Sequence, residues 1–157
     1  MKRILIADDH ESVLRRVRGM IESQPGWEVC GDAVTGRQAI DKAAELEPDL
    51  VILDFAMPQG DGLKSAAAIK SILPDVPIVM FTMYCSAVRQ EAGKHGIARV
   101  VDKVESGGLV AAVEELLATQ KPKSVEQSPD QPVVPSRPSS DPGSPTAIER
   151  STIRKAG

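Results

Sequence analysis

A chain of 157 residues with 41% hydrophobic and 26% charged side chains holds enough apolar material for one packed domain and an extension. Aromatics are only 3%, so the core must be aliphatic, and a formal net charge of -3 supplies no field for gripping nucleic acid. No apolar run approaches the roughly 20 residues that cross a bilayer, and Asp8 and Asp9 interrupt the basic-apolar start Met1-Lys2-Arg3-Ile4-Leu5-Ile6 with no small-residue cleavage site after it, so a cytoplasmic protein is expected.

Short apolar runs alternate with longer stretches of helical spacing through residue 120. Strands are predicted at 3–7, 28–33, 50–53, 77–81 and 98–101. After the first comes the stripe Val13, Leu14, Val17, Met20, Ile21; after the second, Ala39, Ile40, Ala43, Ala44, Leu46. After the third comes Ala66, Ile69, Ile72, Leu73. The fourth is followed by a weaker helix between Ser86 and His95, with Gly93 inside it, and the fifth by Leu109, Val110, Val113, Leu116, Leu117. Five strand-helix units specify a parallel sheet covered on both faces and joined by right-handed crossovers. Without a Gly-rich dinucleotide fingerprint, the expected fold is α/β: a doubly wound five-stranded parallel sheet in the flavodoxin-like order 2-1-3-4-5.

Cys30 lies in an apolar stretch and reads as a small core residue; Cys85 reads as part of a loop. Neither has a CxxC partner, so zinc and redox motifs find no support. Seven of the chain's twelve prolines fall between Pro122 and Pro145, among Ser, Asp, Gln and Gly. Such a composition cannot bury enough apolar surface to offset chain entropy, so 121–157 is expected to be a disordered tail after a domain at 1–120.

Functional residues of a doubly wound sheet gather at the carboxyl ends of its strands. Asp8 and Asp9 end the first strand, Asp54 the third, Thr82 the fourth and Lys103 the fifth. Three packed carboxylates repel, and one must take up a proton unless a cation joins them. Mg²⁺ suits a site of a few carboxylates and waters. Asp54 then has the makings of a nucleophile on phosphorus, with Lys103 and the Thr82 hydroxyl reaching other phosphoryl oxygens.

The segments Ile6-Ala7-Asp8-Asp9-His10, Leu53-Asp54-Phe55-Ala56-Met57-Pro58-Gln59-Gly60-Asp61-Gly62, Phe81-Thr82 and Asp102-Lys103 together resemble the CheY-like receiver domain of response regulators, over about residues 1–119. The resemblance implies Asp54 as phosphoacceptor. It implies Asp9 as a direct Mg²⁺ ligand, Asp8 as the holder of its waters and the Ala56 backbone carbonyl as a further ligand. Thr82 and Lys103 read the phosphoryl group. Asp61 is equally readable as a helix cap, and His10 is placed at the rim of the pocket. The style of Asp8-Asp9-His10, Trp27–Ala33 and Thr82-Met83-Tyr84 is most similar to receivers that precede a LuxR-type DNA-binding domain, which these 157 residues do not contain.

The sequence departs from the receiver pattern at Val100, where a Tyr or Phe is common, and at Val104, where Pro is common. The stretch from Thr82 to Lys103 is about one residue short. Ala56 and Tyr84 stand two residues beyond Asp54 and Thr82. Ala56 cannot orient a water and Tyr84 can shield the site, so slow self-dephosphorylation is expected. The leading expectation is a stand-alone receiver. It takes a phosphoryl group from a sensor histidine kinase or phosphotransfer protein and signals to an unnamed downstream protein, with no direct nucleic-acid binding and no membrane insertion. Monomer and phosphorylation-driven dimer both stay open. The alternatives are a docking module with vestigial phosphorylation, a truncated DNA-binding regulator, and a Mg²⁺-dependent phosphatase, which Ala56 in place of a second Asp argues against.

Overall fold

The computed structural model describes residues 1–121; the expected disordered tail lies outside the described residues from Pro122 onward. A five-stranded sheet is formed by β1 (Lys2–Ala7), β2 (Trp27–Ala33), β3 (Leu50–Leu53), β6 (Ile78–Thr82) and β7 (Arg99–Asp102). Its order is β2-β1-β3-β6-β7 and every neighbouring pair is parallel. Setting aside a short ribbon of β4 (Ala56–Met57) and β5 (Gly60–Asp61), this is the predicted order 2-1-3-4-5. The helices are α1 (Glu11–Glu22), α2 (Gly36–Leu46), α3 (Gly62–Ile72), α4 (Cys85–Ala92) and α5 (Gly107–Thr119).

The alternation of side chains along each strand divides the core in two. Leu5, Ala7, Val51, Leu53, Ile78 and Met80 face one way, against Ala39 and Ala43 of α2, Ala66 and Ile69 of α3, and Val88 of α4. Ile4, Ile6, Leu50, Ile52, Val79 and Phe81 face the other, against Leu14, Val17 and Ile21 of α1 and Leu109, Val113 and Leu117 of α5. Both faces of the central strands are therefore apolar, which is why β3 and β6 read as continuous hydrophobic runs. The β1–β2 register slips between Ile4 and Leu5, so Cys30 opposes no residue of β1; it is partly buried against the first core.

Several local expectations are corrected. Cys85 is not in a loop: it is the buried first residue of α4, with its thiol toward the Thr82 carbonyl oxygen at 3.4 Å. Burial, then the negative charge of Asp102, pushes that thiol above its ordinary range, so it is poorly nucleophilic. α4 ends at Ala92, and Gly93–His95 tightens into a 3₁₀ turn closed by Gly96 at φ 75°. His95, in this turn, is half-buried. Ala44 and Ile72 of the predicted stripes are exposed; Ile72 closes the last turn of α3.

The ribbon was not foreseen. Pro58 fixes its own φ, Gln59 takes φ 58°, and the chain turns back so that Ala56 pairs with Asp61. Asp61 then caps α3, its carboxylate accepting from the Leu63 backbone N–H at 2.8 Å. Asp61→Ala is expected to lower stability by about 1 kcal/mol, read as a shift of the urea midpoint with unchanged slope.

Candidate functional site

Three backbone hydrogen bonds carry the sheet pattern one residue past the strand ends. The Asp8 N–H donates to the Ala33 oxygen at 3.0 Å, Asp54 to Ala7 at 2.9 Å and Lys103 to Thr82 at 3.1 Å. They bring the predicted residues from four separate stretches of chain to one edge. Asp8 and Asp54 are each 4% exposed and Thr82 is fully buried. Asp9 is half-buried and His10 exposed at the rim.

Lys103 ties the cluster together. Its Nζ lies 2.5 Å from Asp8 Oδ2 and 3.2 Å from Asp54 Oδ2, with the lysine side chain only 11% exposed. Asp54 Oδ1 accepts from the Phe55 backbone N–H at 2.7 Å, which fixes the carboxylate in one orientation. Burial raises the Asp54 pKa above the usual carboxylate value; the ammonium of Lys103 opposes this and the negative charge of Asp8 adds to it. Thr82 Oγ1 accepts from the Tyr84 backbone N–H at 3.1 Å. Tyr84, 57% exposed, packs its ring edge-on against Phe55 with centroids 6.0 Å apart.

Asp8 Oδ2 and Asp9 Oδ1 are shielded from solvent and have no hydrogen bond of regular geometry. Their close neighbours are charged or titratable groups, Lys103 for Asp8 and the His10 ring for Asp9. Asp8, Asp9 and Asp54 thus share the single ammonium of Lys103 and the His10 ring, and burial disfavours the ionised form of Asp54, so the carboxylate cluster is short of positive charge. A hard divalent cation such as Mg²⁺ fits it. Asp8, Asp9 and His10 bring potential ligand atoms within 4.8 Å of one another.

At the positions where the sequence departs from the receiver pattern, the structure shows substitutes. Val100 is half-buried against the core on the α2–α4 side of the sheet, where a short aliphatic chain has no ring to turn inward. After β7 the backbone is held by Asp102, whose Oδ1 accepts from Val104 N–H at 2.8 Å, an Asx turn where Pro is common. Ala56 opens the ribbon with its side chain exposed.

The response regulator receiver domain family matches residues 4–114, and the chain belongs to that family, the receiver modules of two-component signal transduction. It is 39% identical over 120 residues to protein-glutamate methylesterase/protein-glutamine glutaminase 1 of Methanosarcina mazei, covering 74% of this chain and 33% of that protein. It is 37% identical over 82 residues to response regulator protein VraR of Staphylococcus saprophyticus, covering 52% of this chain and 39% of that protein. The chain thus spans about a third of the length of these curated relatives. Among solved structures it is similar to a LuxR-family two-component response regulator from Aurantimonas, with a TM-score of 0.71 and 31% identity over 76% of this chain and 86% of that one. The response regulator domain of Thermotoga maritima CheB has the same fold, with a TM-score of 0.71, at 24% identity over 77% of this chain and 99% of that one. Among the described residues, no helix is long and apolar enough to cross a membrane.

Proposed function

We propose that this receiver is switched by phosphoryl transfer to Asp54, taken from a phosphohistidine of a sensor kinase or phosphotransfer protein, and that it signals by protein–protein interaction. The observation that carries this reading is the Lys103 ammonium held between the buried carboxylates of Asp8 and Asp54. The lysine neutralises two buried carboxylates, and the same ammonium is placed to pass from a carboxylate oxygen to a phosphoryl oxygen on Asp54.

In the step, an Asp54 carboxylate oxygen forms a bond to phosphorus as the bond from phosphorus to the donor nitrogen breaks and the neutral imidazole leaves. Phe55 N–H holds Oδ1, which leaves Oδ2, the oxygen facing Lys103, as the attacking atom. Lys103 neutralises one phosphoryl oxygen, and Thr82 turns its hydroxyl from the Tyr84 N–H to donate to another. Asp9, Asp54 and the Ala56 carbonyl would hold Mg²⁺, with Asp8 holding its waters. The ion would supply charge neutralisation at the transferring group.

Incubation with acetyl phosphate, followed by intact mass, tests the reading. One phosphoryl addition that requires Mg²⁺ and is absent from Asp54→Asn supports it; addition without Mg²⁺, or undiminished in the variant, contradicts it. The Ala56 side chain cannot orient a water, so the phosphorylated form is expected to be long-lived. Ala56→Asn is expected to shorten its lifetime several-fold, followed by the decay of the same mass, and an unchanged lifetime would remove Ala56 from the account. A phosphorylation-driven dimer is distinguished from a monomer by sedimentation of the same samples.

A further inference from the structure

His10 holds the N-cap position of α1, where Ser, Thr, Asp or Asn would bond the free N–H groups of the first turn. It makes no such bond. Its ring is turned instead toward the acidic pair. Nδ1 lies 3.0 Å from Asp9 Oδ1 and 3.2 Å from Asp8 Oδ1. Its own backbone N–H donates to the same Asp8 oxygen at 2.9 Å, which fixes the residue against the pocket. With Asp8 Oδ1 the ring nitrogen is in hydrogen-bonding range and geometry. With Asp9 Oδ1 it is in range without the geometry, and that oxygen stays a shielded acceptor with no hydrogen bond.

Two atoms about 3.0 Å apart have the spacing of adjacent ligands in an octahedral shell whose bonds are about 2.1 Å long. The His10 nitrogen and Asp9 oxygen have that spacing. Mg²⁺ gains little from an imidazole, because it selects oxygen; Mn²⁺, Co²⁺, Ni²⁺ and Zn²⁺ gain much. We infer that His10 is a specificity-determining ligand of the acidic pocket, adding a ring nitrogen that lets the site take imidazole-seeking divalent metals as well as Mg²⁺. This rests on the reading of Asp9 as a metal ligand. It concerns which cation the pocket selects, and leaves the phosphoryl chemistry of Asp54 as proposed above.

The test uses Zn²⁺ and Mg²⁺ alone on the full chain. Ring-nitrogen NMR follows the two histidines, with His95 in its 3₁₀ turn as the internal reference. Calorimetry gives affinities for wild type and His10→Ala. The expected result is a Zn²⁺-dependent shift of the His10 Nδ1 signal with His95 unmoved, and reversal of that shift by excess Mg²⁺. His10→Ala is expected to lose about tenfold or more in Zn²⁺ affinity and to keep Mg²⁺ affinity within about twofold. An unmoved His10 signal while both metals bind would overturn the inference and leave the Mg²⁺ site standing. A His10 shift that persists in Asp9→Asn would also overturn it, because the metal would then sit elsewhere. Binding of neither metal would remove both this inference and the metal site beneath it.

Discussion

Lys103→Ala is expected to destabilise the metal-free domain by about 3 kcal/mol, because it strips the cation from two carboxylates that are 4% exposed. The loss depends on pH with a definite sign. Burial has already raised the Asp54 pKa, and Lys103 is the group that opposes the rise. For an acid whose folded pKa is raised, the associated stability is fully present below the unfolded value and is lost as pH rises through the folded value. Without Lys103 the raised value climbs further, so the variant loses more than wild type at neutral pH and the gap narrows on acidification. Mg²⁺ is expected to narrow it too, because the pocket that lacks the lysine cation binds the ion more tightly and so gains more folded-state stability from it. Urea titrations in EDTA at neutral and mildly acid pH, then in Mg²⁺, measure all three effects. A gap independent of pH and metal would mean that Lys103 acts through its aliphatic stem. In the same variant, phosphorylation by acetyl phosphate is expected to be nearly lost.

Gly62→Ala is expected to damage fold and site together. A Cβ at position 62 would stand 2.4 Å from the Asp54 carbonyl oxygen and 2.6 Å from the Phe55 Cα. Both are backbone atoms, so the segment that carries Asp54 has to move. Alanine improves helix propensity by up to about 1 kcal/mol; overpacking costs about 1–3 kcal/mol. The clash wins, with a net loss of about 1–2 kcal/mol. Displacing a reacting group by about 1 Å costs on the order of 100-fold in rate, so phosphorylation is expected to slow more than stability falls. Gly19, within α1, is the control: its added Cβ meets nothing within 4 Å, so Gly19→Ala is expected to gain up to about 1 kcal/mol at unchanged rate. Equal behaviour of the two variants in midpoint and phosphorylation rate would contradict the role given to Gly62.

The strands were legible because parallel strands buried on both faces leave unbroken aliphatic runs, such as Leu50-Val51-Ile52-Leu53. Their order followed from the number of units, and the gathering of Asp8, Asp54, Thr82 and Lys103 from their positions after those runs. What escaped lies in short local turns, whose contacts span one to five residues and leave no periodicity in the sequence. The ribbon from Ala56 to Asp61 has two-residue strands, too short for any alternation, and only Pro58 marked its turn. Cys85 follows two exposed residues, Met83 and Tyr84, and nothing local distinguishes it from a third; the helix begins there because the thiol packs back on Thr82. The Asx turn at Asp102 was hidden because an aspartate before a lysine reads as well as a solvated pair. The contact of His10 with both aspartates required the chain to turn at α1 and bring the ring back, whereas the sequence placed it only at the rim.

The central claim is that the phosphoryl group resides on Asp54. Borohydride reduction of the acetyl phosphate-treated chain, followed by peptide sequencing in the mass spectrometer, locates the acyl phosphate by converting its aspartate to homoserine. The expected result is homoserine at position 54 and at no other aspartate, dependent on Mg²⁺. Homoserine at Asp8 or Asp9, or at no position after Mg²⁺-dependent phosphorylation, would contradict it.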